Sequence, residues 1–244
     1  MTNSLFSQVS ESGSGRPVLL LHGGGGPFTV ASIAAHVAEY AHVIAPTHPG
    51  FNGTERPASI NSVKALAAEY TKLLAERDLH NVLVIGSSIG GWLGAEIALQ
   101  DVDHRITGLV LLNAAGVNVP GNSVRDISGM APQELAQYSF HDPSKLRVPP
   151  PTPEGLAIAQ GNAATMGVLS SAPTPVADFG AITTPTLVIW GESDRVVDLD
   201  YGRAFAGAIP GAEFVVIPEA GHLPHLENPD AVFAAVDAFT SAHV

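Results

Sequence analysis

The sequence pattern that most clearly could support catalysis is G-x-S-x-G at residues 86–90, where Ser88 takes the middle position. It follows a run of Val, Leu and Ile at residues 82–85 and precedes a largely apolar stretch at 92–99. Between a strand and a helix, this pattern forms a sharp turn that lifts the serine hydroxyl above a sheet. The alternative is a glycine turn that only packs a helix against a strand. The setting favours Ser88 as a nucleophile in acyl transfer.

A second glycine-rich loop, His-Gly-Gly-Gly-Gly at residues 22–26, follows the apolar run 19–21. The oxyanion that forms during acyl transfer needs two preorganised N–H donors, and a loop without Cβ atoms allows them to approach closely. The amides of Gly24 and Ile89 are the predicted donors. Gly25 is an alternative to Gly24.

A dinucleotide-binding loop is the competing interpretation of these glycines. That motif requires G-x-G-x-x-G at the start of a helix. Here Gly23 and Gly25 are followed by Phe28 at the third glycine position, and Pro27 interrupts the expected start of the helix. We therefore expect no dinucleotide at this loop.

An acid and a histidine follow two later apolar runs. Asp194 comes shortly after the run 187–190, and His222 follows the last run of the chain. The chain order Ser, Asp, His is typical of one class of serine enzyme. Asp194 would accept the Nδ1 proton of His222, so that Nε2 can take the proton of Ser88. Glu192 is the rival for the acidic position.

His222 and His225 also allow a metal-site interpretation, because they stand three residues apart. No third ligand is suggested nearby, so we expect no metal. No other cofactor is expected either, because the polypeptide itself supplies the nucleophile, the base and the oxyanion donors. His225 is predicted to be a hydrogen-bonded structural histidine. Of the other eight histidines, which include His22, His48 and His141, most are expected at the surface or in local hydrogen bonds.

Short apolar runs alternate with helical patterns along the chain. The runs are too short for helices and rich in Val, Ile and Leu, which predicts buried strands. They occupy residues 18–21, 43–45, 82–85, 109–112, 187–190 and 214–217. Helical apolar stripes occur at residues 63–74 and 232–239. The alternation predicts an α/β fold, with a mostly parallel central sheet and helices on both faces.

Residues 117–181 interrupt this rhythm. They contain no strand pattern, and such a length is too great for a simple connection. Short helical patterns occur at Pro132–Ser139 and at residues 155–169. We expect a small helical lid at 117–181, inserted after the sixth strand, on a core formed by residues 1–116 and 182–244.

The composition narrows the class of partner. In 244 residues, 45% are hydrophobic and 14% are charged, which predicts a globular chain. The 23 acidic and 11 basic residues give a formal charge of -12, the wrong sign for binding nucleic acid or an anionic membrane. No apolar run could span a bilayer, no export signal is recognisable and Cys is absent. The cytoplasm is the expected compartment, and formation of a homodimer is left open.

Together these motifs resemble the α/β-hydrolase superfamily. The matching segments are His22-Gly23-Gly24, His48-Pro49-Gly50-Phe51, residues 86–91, Gly191-Glu192-Ser193-Asp194 and Gly221-His222. The resemblance implies a sheet of eight strands in full members, with one edge strand missing here. It is strongest to the lidded branch that contains carboxylesterases, enol-lactone hydrolases, cofactor-free haloperoxidases and carbon-carbon hydrolases of ring-cleavage products.

The identity of two residues narrows the implied activity. Ser88 disfavours epoxide hydrolases and haloalkane dehalogenases, which need a carboxylate nucleophile. Carbon-carbon hydrolases often carry Trp after the catalytic histidine, whereas this chain has Leu223.

The resulting hypothesis is a serine hydrolase that cleaves a small ester or lactone through an acyl-enzyme on Ser88. Apolar lid residues favour an apolar pocket; they are Met130, Tyr138, Phe140, Leu156, Ile158, Met166 and Leu169. Two alternatives remain, namely a carbon-carbon hydrolase with the same three residues and a non-catalytic receptor for a small ligand.

Overall fold

A mostly parallel sheet runs through the centre of the computed structural model, which describes residues 5–122, 124–127, 129–145 and 152–243. Its strands, in chain order, are β1 (Val9–Ser12), β2 (Pro17–Leu21), β3 (His42–Pro46), β4 (Val82–Ser87), β5 (Ile106–Leu112), β6 (Thr186–Gly191) and β7 (Glu213–Ile217). Their spatial order is β1-β3-β2-β4-β5-β6-β7. β1 pairs antiparallel with β3, and every other pair is parallel.

Helices cover both faces of the sheet. They are α1 (Ala31–Val37), α2 (Val63–Glu76), α3 (Ile89–Gln100), α4 (Pro132–Ser139), α5 (Pro153–Leu169), α6 (Leu199–Gly207), α7 (Pro224–Glu227) and α8 (Pro229–His243). Helices α2, α3 and α6 contribute to the apolar core on one face, and α1 and α8 to the core on the other. The predicted α/β class is confirmed. Within the described ranges, no helix has both the length and the apolar character needed to cross a bilayer.

Side chains alternate between the two faces of the sheet, and both faces are covered by helices, which explains why the strand sequences are continuous apolar runs. Leu19 and Leu21 of β2 face the core beneath α2 and α3, whereas Val18 and Leu20 face the core beneath α1 and α8. Because successive side chains point to opposite faces, a strand covered on both sides must be apolar at nearly every position. The central strand β4 follows the same rule and is buried along its whole length.

The segment between β5 and β6 carries α4 and α5. Both helices lie where the sequence predicted them, with α5 beginning two residues earlier, at Pro153. In this chain the segment follows the fifth strand rather than the expected sixth, because β1 is the only strand that precedes β2 in the part described. A bridge between Asn118 and Pro175 joins the two ends of the segment.

Close packing of α3 on the sheet depends on glycine. A Cβ added to Gly90 would collide with the carbonyl oxygens of Leu21 and His22, the latter at 2.7 Å. One added to Gly86 would collide with the backbone of Gly90 and Gly91. The glycines therefore set the distance at which the turn after β4 lies against the end of β2.

We expect Gly90→Ala to lower the free energy of unfolding by about 3 kcal/mol or more, because rigid backbone must move to admit the methyl group. Urea unfolding followed by circular dichroism measures the change. Gly161→Ala is the matched control, since no atom lies within 4 Å of its added Cβ in α5. It should stabilise the protein by up to about 1 kcal/mol. Equal effects of the two substitutions would contradict the packing argument.

Candidate active site

Ser88 lies on the turn between β4 and α3 in a strained backbone conformation, with φ of 57° and ψ of -122°. The turn is held by backbone hydrogen bonds. The Ser88 N–H donates to the Leu112 carbonyl at 2.9 Å, and the Ser88 carbonyl accepts the N–H of Gly91 at 2.9 Å. A non-glycine residue with positive φ persists only where its surroundings enforce it. Here the surroundings raise the serine hydroxyl above the carboxyl edge of the sheet.

His222 and Asp194 are brought to this hydroxyl from 134 and 106 residues away along the chain. The Nε2 atom of His222 lies 2.9 Å from the Ser88 Oγ. Its Nδ1 atom lies 2.8 Å from the Asp194 Oδ2. These contacts fit the tautomer in which Nδ1–H donates to the carboxylate and Nε2 accepts from the serine.

The carboxylate of Asp194 is inaccessible to solvent, with side-chain exposure of 0%. Its Oδ1 atom accepts the backbone N–H groups of Val196 at 2.8 Å and Val197 at 3.1 Å. Its Oδ2 atom accepts the Asn113 Nδ2–H at 2.6 Å in addition to the His222 ring. A buried carboxylate needs such donors to compensate its loss of hydration, and here four groups supply them.

Sequence reasoning missed Asn113. This residue directly follows β5, between the strands that lead to Ser88 and Asp194, and is fully buried. Its φ of 43° turns the side chain towards Asp194, while its Oδ1 accepts the Gly191 N–H at 3.2 Å. A polar residue directly after a buried strand, at the carboxyl edge of a parallel sheet, was the signal that could have identified it.

Glu192, the rival acid, lies elsewhere. Its exposed carboxylate accepts the Glu219 N–H at 3.4 Å, a contact on the surface and away from His222. Because the chain turns inward after Ser193, it is Asp194 whose carboxylate reaches the histidine. The sequence-based preference for Asp194 therefore agrees with the geometry.

A second carboxylate holds the loop that carries His222. Glu227 accepts the Gly221 N–H at 2.7 Å and the His141 N–H at 2.9 Å. The His222 N–H in turn donates to the Ser139 carbonyl, at the end of α4, at 2.7 Å. The end of α4 and the histidine loop are thus fastened to each other.

The predicted oxyanion loop lies beside the serine. A Cβ on Gly23 would be 3.2 Å from the Ser88 Cβ, and one on Gly24 would be 3.3 Å from the Met166 Sδ of α5. In the described ranges, the N–H groups of Gly24 and Ile89 donate to no acceptor of the protein. Two unpaired amides near a serine hydroxyl are suited to bind a developing negative charge.

Helix α5 is fastened above these loops by two buried polar side chains. Asn162 donates from Nδ2 to the Gly25 carbonyl at 3.2 Å, and its Oδ1 accepts the Asn52 N–H at 2.8 Å. Thr165 donates from Oγ1 to the Gly50 carbonyl at 2.9 Å. The apolar side chain of Met166 is therefore held over Gly24.

Three of the remaining histidines are buried and hydrogen-bonded. Burial lowers the pKa of His22 to about 4 and that of His225 to about 4, and it holds the pKa of His48 well below its usual range. The Nε2–H of His225 donates to the Thr29 carbonyl at 2.7 Å, as expected for a structural histidine. Among the residues described, no cluster of His, Asp and Glu has the arrangement of a metal site.

Comparisons with known proteins identify the family of this chain. Residues 18–236 match the sequence profile of the Alpha/beta hydrolase family. The chain belongs to the α/β-hydrolase family. A similar curated protein is the 2-hydroxy-6-oxo-2,4-heptadienoate hydrolase of Pseudomonas putida, which is 26% identical over 263 residues that cover 99% of this chain and 95% of the relative.

Solved structures with the same fold include two kinds of hydrolase. An esterase from Thermogutta terrifontis has a TM-score of 0.76 at 26% identity, with 97% of this chain and 94% of that chain covered. A meta-cleavage product hydrolase from Pseudomonas fluorescens IP01 has a TM-score of 0.79 at 22% identity, with 96% and 93% covered. The family match and these relatives support hydrolase activity for this α/β-hydrolase, and they leave ester and carbon-carbon cleavage unresolved.

The buried histidines predict how stability depends on pH. Because the folded pKa values of His22 and His225 lie near 4, below the usual 6.5, both rings favour folding fully above pH 6.5. This contribution is lost as the pH falls from 6.5 towards 4, by up to about 1.4 kcal/mol per pH unit for each ring. Urea unfolding at a series of pH values measures the slope.

The matched variant is His225→Gln, whose amide can still donate to the Thr29 carbonyl but does not titrate. Its stability should fall less steeply than that of the wild type between pH 6.5 and 4. Parallel curves for the two proteins would show that His225 is not a buried neutral ring.

Proposed function

We propose that this α/β-hydrolase is a serine hydrolase that cleaves a small ester or lactone through an acyl-enzyme on Ser88. One observation carries the proposal: the His222 ring lies between the Ser88 hydroxyl, at 2.9 Å, and the buried Asp194 carboxylate, at 2.8 Å. In this order the three groups form the nucleophile, the general base and the group that orients the base.

The first half of the reaction forms the acyl-enzyme. The Ser88 Oγ attacks the carbonyl carbon as its proton passes to the His222 Nε2, and the carbonyl oxygen becomes an oxyanion held by the Gly24 and Ile89 amides. When the tetrahedral intermediate collapses, the bond to the leaving oxygen breaks and His222 returns the proton to that oxygen. In the second half, a water molecule gives a proton to His222 and attacks the acyl carbon. The bond to the Ser88 Oγ then breaks, His222 returns the proton to that oxygen, and the acid is released.

Asp194 supports this cycle electrostatically. When His222 takes the serine proton, the imidazolium is paired with a carboxylate that is already hydrogen-bonded. No solvent has to reorganise around the pair, because the donors from Val196, Val197 and Asn113 are fixed in place. This preorganisation lowers the barrier more than the same charges would in water.

The preference for a small substrate rests on the cover of the site. We propose that residues 117–181 act as a lid, with α5 tied to the core loops by Asn162 and Thr165. Met166 lies in contact distance of Gly24 and presents an apolar surface beside the reacting carbonyl. A small acyl group would fit against the apolar surface of Met166. Within the proposed lid, residues 123, 128 and 146–151 lie outside the described part.

Carbon-carbon cleavage is the second candidate, and the heptadienoate hydrolase of Pseudomonas putida is the observation that favours it. The same nucleophile and base could act on a ketone, with a proton delivered to carbon instead of oxygen. Leu223, rather than Trp, follows the histidine in this chain. We therefore rank this reaction below ester or lactone hydrolysis.

The principal test is Ser88→Ala. We expect it to lower kcat on a short-chain nitrophenyl ester by several orders of magnitude, on the order of 10⁴ or more, while the thermal unfolding temperature stays near that of the wild type. A fluorophosphonate should add its mass to the wild type and not to the variant, as read by intact mass spectrometry. Comparable turnover by the variant would refute the role of Ser88.

Two substrate panels then separate the candidate reactions. The wild type is assayed on nitrophenyl esters and lactones of increasing acyl length, and in parallel on a 2-hydroxy-6-oxo-2,4-dienoate, whose loss of absorbance reports carbon-carbon cleavage. A higher kcat/KM on the dienoate would favour the second candidate. A folded wild type that fluorophosphonate does not label, and that turns over none of these substrates, would favour a receptor.

Asn113 gives an independent test of the electrostatic argument. Asn113→Leu leaves Asp194 with one donor fewer, so we expect kcat/KM to fall by about 10-fold or more and stability by about 1–3 kcal/mol. In Asn113→Asp, the two carboxyl groups can share one proton and keep the hydrogen bond to Asp194. This variant should recover much of the lost kcat/KM near neutral pH. Wild-type kinetics in Asn113→Leu would contradict the argument.

A further inference from the structure

Two histidines that have no step in the proposed reaction are locked together behind the oxyanion loop. His22 and His48 follow the neighbouring strands β2 and β3, and both are 1% exposed. Their ring centroids lie 3.8 Å apart, and the Phe51 ring packs edge-on against both rings. Polar rings are rarely enclosed so fully unless their nitrogens have partners, so each nitrogen calls for an explanation.

The hydrogen bonds define where each ring carries its proton. The His22 Nε2 accepts the backbone N–H of His48 at 3.0 Å, so the proton of His22 is on Nδ1, which donates to the Gly23 carbonyl at 2.8 Å. The His48 Nε2–H donates to the His22 carbonyl at 3.0 Å, and its Nδ1 accepts the Tyr70 hydroxyl at 2.6 Å. Burial keeps both rings neutral, since it lowers both pKa values.

The bond to the Gly23 carbonyl acts on the next amide along the chain. A peptide unit is planar and trans, so the carbonyl of Gly23 and the N–H of Gly24 point in opposite directions and turn together. His22 and the N–H of Gly26, at 3.1 Å, both hold that carbonyl. The four consecutive glycines could otherwise adopt many backbone conformations. The two hydrogen bonds to the Gly23 carbonyl thereby fix the direction of the Gly24 N–H.

We propose that the buried chain Tyr70–His48–His22 positions the Gly24 amide for oxyanion binding. His22 is the immediate positioning residue, His48 holds the ring of His22 and Tyr70 anchors His48 to α2. None of the three touches the substrate. The proposal rests on the proposed acyl transfer at Ser88 and adds the origin of the alignment of one oxyanion donor.

Two substitutions of His22 separate positioning from packing. The amide of Asn places its Nδ2 where the histidine has Nδ1, so His22→Asn keeps the donor to the Gly23 carbonyl. His22→Gln instead keeps an acceptor near Nε2 for the His48 N–H and leaves the Gly23 carbonyl without the ring donor. Both shorten or remove the buried ring, so both should lose stability to a similar degree.

We expect kcat in His22→Gln to fall by about 10- to 100-fold, as for a weakened oxyanion donor, with KM little changed. His22→Asn should stay within about 5-fold of the wild type, because the peptide plane is still held. The fraction of active protein is first counted by fluorophosphonate titration to completion. The inhibition constant of a trifluoromethyl ketone, whose adduct carries an oxyanion, should rise in parallel with the loss of kcat.

The outcomes are distinct. Equal kcat losses in the two variants, or a wild-type inhibition constant in His22→Gln, would overturn the positioning role. If neither variant folds, Tyr70→Phe decides: it removes only the hydroxyl, and a decrease in kcat of a few-fold with a weaker trifluoromethyl ketone supports the chain, whereas unchanged values overturn it. Failure of Ser88 itself would appear separately, as a wild type that neither reacts with fluorophosphonate nor turns over ester.

Discussion

The site is organised around one buried negative charge. An unpaired carboxylate in a protein interior would take up a proton or disrupt the fold, because its loss of hydration is not compensated. Asp194 escapes this cost through donors from three separate places: its own turn after β6, Asn113 after β5 and His222 after β7. The hydrogen bond from His222 is therefore one of the contacts that compensate the burial of the Asp194 carboxylate.

The parallel sheet makes this convergence possible. Strands β4, β5, β6 and β7 are adjacent and point the same way, so the residues that follow them meet at one edge. Ser88, Asn113 and Asp194 come directly or shortly after three neighbouring strands. Close contact then requires small residues: a Cβ on Gly191 would collide with the Gly221 carbonyl oxygen, and one on Gly221 would collide with the Ser139 carbonyl oxygen.

Much of this was accessible from sequence, because the signals were local. The apolar runs identified six of the seven strands described, all except the exposed β1, and the residues after them gave Ser88, Asp194 and His222, whose catalytic roles stay predictions. The supporting residues were harder to identify from the sequence. The role of Asn113 depends on the strand order and on a positive φ, and that of Glu227 on contact with His141, 86 residues earlier. The position of Asn113 directly after a buried strand marks it as a candidate, but neither its partner nor the partner of Glu227 leaves a pattern in neighbouring residues.

The contacts of Glu227 with the Gly221 and His141 amides affect which segments can be exchanged between members of this family. Because the backbone of Ser139 holds the His222 amide, residues 139–142 belong functionally with the core, although they lie between β5 and β6 in the chain. A chimera that exchanged everything between those strands would also exchange the residues that hold the His222 loop. The segment that could be exchanged without this loss begins after Asp142. It contains α5, which places Met166 over Gly24.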